Sequence, residues 1–130
     1  MKILKLPYGK IFILEENIAE VIIDEGVVMD ATMIDHYHEV LKSNLKAPFS
    51  LLVNKKHSYS YDFYAQKNLA TIGEIVSMAV VAYNQVASMT TEILDKLPRK
   101  SAWNLKIFSD REEALKWIVH EQNKNKVTKS

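Results

Sequence analysis

The chain has 130 residues, enough for one domain that buries a sizeable core without staples. Hydrophobic residues make up 48% and charged residues 25%, a balance that excludes a wholly disordered chain. Lysine and arginine number 17 against 16 acids, so the net charge of +1 offers no footprint for nucleic acid. With no cysteine, disulfides, thiolate catalysis and Cys-ligated zinc are all excluded.

The opening Met1–Pro7 is too short and too interrupted for a signal peptide, and no apolar run approaches a membrane-spanning length. These features predict a cytoplasmic protein that is not an integral membrane protein. Met1 to Leu6 can supply a leading strand. Lys10–Glu15 and Ile18–Asp24 are β-branched runs separated by Glu16-Asn17, which predicts a hairpin. Gly26 breaks the pattern. Asp30 then caps a helix over 31–44, with Met33, Ile34, Tyr37, Val40 and Leu41 on one face.

Phe49–Val53 reads as a buried strand, followed by the polar loop 54–60 and a helix over 61–72 capped by Ser60 or Ser58. Ser77–Tyr83 has no polar face, the mark of a central strand covered on both sides. Asn84 caps a third helix whose Val86, Met89, Ile93 and Leu97 form a stripe expected to face the core, with Pro98 ending it. Arg99 to Trp103 link to a last strand, Leu105–Phe108. Ser109 and Glu112 predict a capping box for a final helix carrying Ala114, Leu115 and Ile118. One α/β domain over 1–122 follows, with about four helices on a mixed, mostly parallel sheet and a polar, disordered tail over 123–130.

Little in this frame carries catalysis. His36 and His38 lie two apart and point in different directions on a helix, and His57 and His120 add no ligand spacing. Three glycines, at 9, 26 and 73, allow neither a P-loop nor a dinucleotide fingerprint. No Gly-x-Ser-x-Gly elbow is present, and Glu15-Glu16 and Glu112-Glu113 fit a turn and a helix start. No enzyme activity, metal or cofactor is expected.

The remaining candidate is the loop leaving the carboxyl end of a sheet strand and entering a helix start, where α/β sheets bind ligands and anions. Lys55, Lys56, Ser58 and Ser60 form its interaction or anion-binding set, against the plainer reading of a solvated loop with a capping serine. Tyr59, Tyr61, Phe63 and Tyr64 make it aromatic, so they either cover a core edge or line an apolar pocket. A basic-aromatic mix also suits RNA, but no RNP-type motif accompanies it. Sheet edges and exposed aromatics make a homodimer a further expectation.

Four segments stand out together: Tyr8-Gly-Lys-Ile-Phe12, Phe49-Ser-Leu-Leu-Val-Asn54, Met78-Ala-Val-Val-Ala82, and the closing stretch Leu105–Ile118 with its Ala-x-x-Trp helix. In these the chain resembles the STAS/SpoIIAA-like group, named for anti-sigma-factor antagonists, in the branch compared with CRAL-TRIO lipid-binding domains. The resemblance covers nearly the whole chain. It implies a STAS/SpoIIAA-like domain acting as a regulatory module, with Ser58 or Ser60 at the place of a phosphorylatable serine. The aspartate before that serine and the glycine after it are absent here. The two functions expected are a protein-interaction module using 55–64 and, alternatively, a carrier or sensor of an apolar or anionic, lipid-like ligand.

Overall fold

A computed structural model describes residues 2–98 and 102–129, with side chains described through residue 124. Part of the link from Arg99 to Trp103 therefore lies outside the described residues, as do Met1 and Ser130. The chain opens with β1 (Lys2–Leu6), β2 (Gly9–Glu15) and β3 (Ile18–Ile23), an antiparallel meander turning at Glu16-Asn17 as its sequence predicts. Gly9 sits where β2 crosses closest to β3; a Cβ there would lie 2.5 Å from the Ile22 carbonyl oxygen.

A two-residue strand, β4 (Val28–Met29), precedes α1 (Ala31–Asn44), whose Asp30 cap accepts a bond from the Met33 amide at 2.9 Å. The chain continues through β5 (Phe49–Lys55), β6 (Ser60–Tyr61), α2 (Phe63–Asn68), β7 (Ile75–Ala82), α3 (Gln85–Asp95), β8 (Leu105–Phe108) and α4 (Arg111–Lys129). The main sheet has the order β1-β2-β3-β5-β7-β8, in which β3, β5, β7 and β8 run parallel; β4 and β6 form a separate parallel pair. This is the mixed, mostly parallel sheet with an N-terminal hairpin and four helices that the sequence predicts.

Two apolar layers sandwich the sheet. Ile34, Tyr37 and Leu41 of α1 and Ala65 of α2 pack on one face against Ile11, Val21, Phe49, Leu51 and Met78. On the other face Ala114 and Ile118 of α4 cover Ile18, Leu52, Ala79 and Val81. Alternation along β5 and β7 supplies both layers, which is why these strands carry apolar residues on both faces. The α4 side is pinned by polar bonds as well: Gln122 donates to Ser50 Oγ at 2.8 Å and accepts from Asn17 at 3.0 Å.

Four local expectations need correction. The second helix is shorter than 61–72 and is capped by Asp62, whose carboxylate accepts from the Ala65 amide at 2.9 Å; neither Ser58 nor Ser60 caps it. Ser60 and Tyr61 are held extended by the bond from Ser60 N to Val27 O, 2.9 Å, so a helix cannot begin there. In α3 the buried positions are Thr91 and Leu94, while Val86, Met89 and Ile93 face outward. The last helix is capped by Asp110, which accepts from the Glu113 amide at 3.0 Å, one residue beyond Ser109. Finally, α4 continues as helix through 123–129, where the sequence suggested a separate tail.

Candidate functional site

Because β5 and β7 are parallel, their carboxyl ends reach the same edge of the sheet, and the chain leaves both there. From β5 it enters the 56–59 loop; from β7 it enters α3, whose cap Asn84 accepts from the Ala87 amide at 2.9 Å. Between loop and helix lies an open cleft of about 330 Å³, lined by Lys55, Lys56, His57 and Ser58 on one wall and Val86 and Thr90 on the other. The helix start beside the loop is thus that of α3. The six-residue α2, expected in that role, lies elsewhere, its first turn occupied by Asp62.

Backbone bonds hold the loop in place. Gly26, at φ +79, donates to the Ser58 carbonyl at 2.8 Å, and the Ser58 amide donates to Glu25 Oε2 at 2.6 Å. A turn with positive φ suits glycine, so the Glu25-Gly26 turn is itself part of the site. Lys55, Lys56 and Ser58 meet at the cleft; Ser60 does not, being exposed on β6. Glu25, Asn84 and Thr90 also line it; of these the sequence marked Asn84 alone, and only as a helix cap. The signal was the position of Asn84, a cap at the end of a central strand, facing the end of its neighbour.

Lys55 is the unusual member. It is half-buried, with Nζ 5.6 Å from the Tyr59 ring centroid and 5.8 Å from that of Tyr61. Burial disfavours its charged form and lowers its pKa to about 8. Among the described residues no carboxylate comes within 4.0 Å of it. Ring faces offer partial compensation for a desolvated ammonium, with less than a paired anion supplies.

The four aromatic candidates divide. Tyr61 donates to the Tyr59 hydroxyl at 3.1 Å, with the rings edge-to-face at 5.4 Å between centroids. Both line an apolar cavity with Met29, Tyr37, Leu69 and Met78, and its volume is only about 30 Å³. Burial pushes the Tyr59 phenol up to about 12 and raises that of Tyr61 well beyond its ordinary value. Phe63 and Tyr64, by contrast, stand on the outside of α2, Phe63 73% exposed beneath Lys67 and Tyr64 bonded to Asp35. They line no part of the cavity. A second open cleft, about 370 Å³, lies at the other end of β7 beside Gly73, Val76, Trp103 and Asn104. It contains none of the candidate residues.

A polar cluster absent from the sequence reading lies on the α4 face of the sheet. Glu20 on β3 is buried and accepts from Arg111 and from Asn54 Nδ2, the latter at 2.9 Å. Burial works to raise its pKa, but the bonds from Arg111 and Asn54 outweigh it and the net shift is downward. Its signal was Glu20 standing between Ile18 and Ile22 on one face of a strand. No group of three or more metal-ligating side chains occurs among the described residues, and no described helix is long and apolar enough to cross a membrane.

No protein-family model matches the chain, and no curated protein matches it. Among solved structures, an uncharacterised DUF3478-family protein from Shewanella loihica PV-4, described as having a SpoIIAA-like fold, aligns with 90% of this chain and 90% of its own. The TM-score is 0.52 and the identity 12%. The fold is SpoIIAA-like. At that identity the likeness concerns the SpoIIAA-like fold alone and transfers no residue role.

Proposed function

We propose that this protein is a cytoplasmic, non-enzymatic STAS-like module that acts by protein contact at the 55–58 loop. The observation that carries this reading is the contrast between the two spaces that the candidate residues line. The cleft beside Lys55 and Lys56 is open and about 330 Å³, whereas the apolar cavity behind Tyr59 and Tyr61 is about 30 Å³. Ligand pockets for drug-sized molecules run to roughly 300 Å³ or more, while a space of the smaller size holds about one water. A lipid-like ligand therefore has no room behind the tyrosines without moving them, and the carrier reading is the weaker one.

At Ser58 the phosphoserine version of a switch is also disfavoured locally. The Ser58 amide is already bonded to the Glu25 carboxylate, so a phosphate on Ser58 would be placed beside a negative charge. A partner's carboxylate entering the cleft meets two lysines, Lys55 and Lys56, against the one lining acid, Glu25.

Native mass spectrometry of the protein purified from its own host tests the proposal. A stoichiometric protein partner that is lost from Lys56→Glu is the expected result. A retained apolar small molecule, unaffected by that change, would replace this reading with the carrier.

A further inference from the structure

An outward apolar stripe on a short helix is unusual enough to need an occupant. Val86, Met89 and Ile93 of α3 are 75%, 53% and 63% exposed, although the helix has its own buried face in Thr91 and Leu94. Spaced three and four apart, they lie along one side over about 10 Å. Val86 is also a wall of the basic cleft, so stripe and cleft are continuous. At that end stand Lys55, without a carboxylate within 4.0 Å among the described residues, and Lys56, exposed. The acid lining the cleft there, Glu25, already accepts the Ser58 amide.

We propose that the α3 stripe and the basic cleft at its head form one docking surface for an amphipathic helix of a protein partner, acidic at the end that meets Lys55 and Lys56. This deepens the protein-contact reading above and rests on it. Charge complementarity names the partner: apolar anchors at i, i+3 or i+4, and i+7 seat on Val86, Met89 and Ile93, and an adjacent carboxylate fills the cleft. An anionic lipid surface fits less well, because Glu92 is exposed at the flank of the stripe, one turn after Met89.

Phage display of a helix-forming 14-residue library on the intact protein tests the surface. Winning peptides are then synthesised and titrated by fluorescence anisotropy against wild type, Met89→Glu and Lys56→Glu. Both substituted positions are exposed, so the variants should keep the wild-type circular dichroism and melting curve. Winners should share the apolar spacing with acids at one end. They should lose about tenfold or more in affinity with Met89→Glu, and a smaller, salt-sensitive factor with Lys56→Glu.

Other outcomes overturn the proposal in distinguishable ways. Winners weakened by Lys56→Glu but indifferent to Met89→Glu would leave the loop reading standing and remove the joint surface. Winners indifferent to both would remove both. No enrichment, or enrichment without acids, would also sink the joint surface. So would a dimer in sedimentation that Met89→Glu dissociates, which assigns the stripe to a second copy. Binding of the wild type, but not Met89→Glu, to phosphatidylserine vesicles would assign it to a membrane.

Discussion

Arg111, at the first turn of α4, reaches across the sheet to Glu20 on β3, its Nη2 2.7 Å from one carboxylate oxygen and its Nε 3.0 Å from the other. The pair joins residues 91 apart in the chain, and Asn54 donates to the same carboxylate. Removing the guanidinium would leave a buried carboxylate with one neutral donor. Arg111→Ala should therefore cost about 2–4 kcal/mol, discounted for the partial exposure of Arg111. The pair's contribution should be present at neutral pH and lost as pH falls through the lowered Glu20 pKa. Urea melts of wild type and variant from pH 7 down to pH 3 should converge; parallel curves would rule out the linkage.

The helix-start correction separates two adjacent residues. Asp110→Ala removes the acceptor for the Glu113 amide and should cost about 0.5–2 kcal/mol. Ser109→Ala, lacking that bond, should stay within about 0.5 kcal/mol of wild type in chemical denaturation. The reverse order would return the cap to Ser109.

Val81 and Ile93 test which side of each element is core. Val81 packs under α4 with Leu52 and Ile118, whereas the α3 stripe, expected to face the core, is exposed. Val81→Asp places an unpaired charge there and should cost several kcal/mol, about enough to prevent folding. Ile93→Gln should change stability by no more than about 0.5 kcal/mol, read from its melting curve. A large loss at Ile93 would show the stripe to be covered.

Lys55 should be a stability cost carried by the site. Its folded pKa of about 8 lies below its ordinary value, so the unfolded chain binds the proton more readily between about 8 and 10.5. Wild-type stability should thus rise through that window as the proton is lost. Lys55→Met should be more stable than wild type at pH 7, with the difference shrinking toward pH 10. Denaturant midpoints across that range check it, and an unchanged gap would mean that Lys55 is not desolvated.

His38 should behave oppositely to an exposed histidine. It is buried on α1, and its Nε2 accepts the Ala70 amide at 3.0 Å, holding Ala70 at φ +54. Burial lowers its pKa, with Lys42 adding to the shift and Asp35 and Glu74 opposing it. A protonated ring cannot accept that bond. Stability should be full above the ordinary pKa of 6.5 and decline as pH falls through the lowered value. His38→Gln should flatten this decline, and equal slopes in acid titrations of both proteins would exclude His38 as its source.

Much of the architecture was legible in the residues themselves. Period-two alternation, the Glu16-Asn17 turn, the two-sided apolarity of 78–82 and the caps Asp30 and Asn84 all follow from local backbone chemistry, and each stands where it was read. That Lys55, Lys56 and Ser58 share one cleft follows from the same logic, since the loop after a buried parallel strand emerges at the carboxyl edge of the sheet. Other features depended on contacts between distant segments. Ser60 became strand because Val27 offered its carbonyl, and that moved the helix start to Asp62. Glu20 became a buried anion because Arg111 arrives 91 residues later. The α3 stripe shows the division most clearly. Helical periodicity reveals that Val86, Met89 and Ile93 share a face, but burial depends on the rotation at which the helix meets the sheet. Here that rotation turns Thr91 and Leu94 inward, so the more apolar side faces outward.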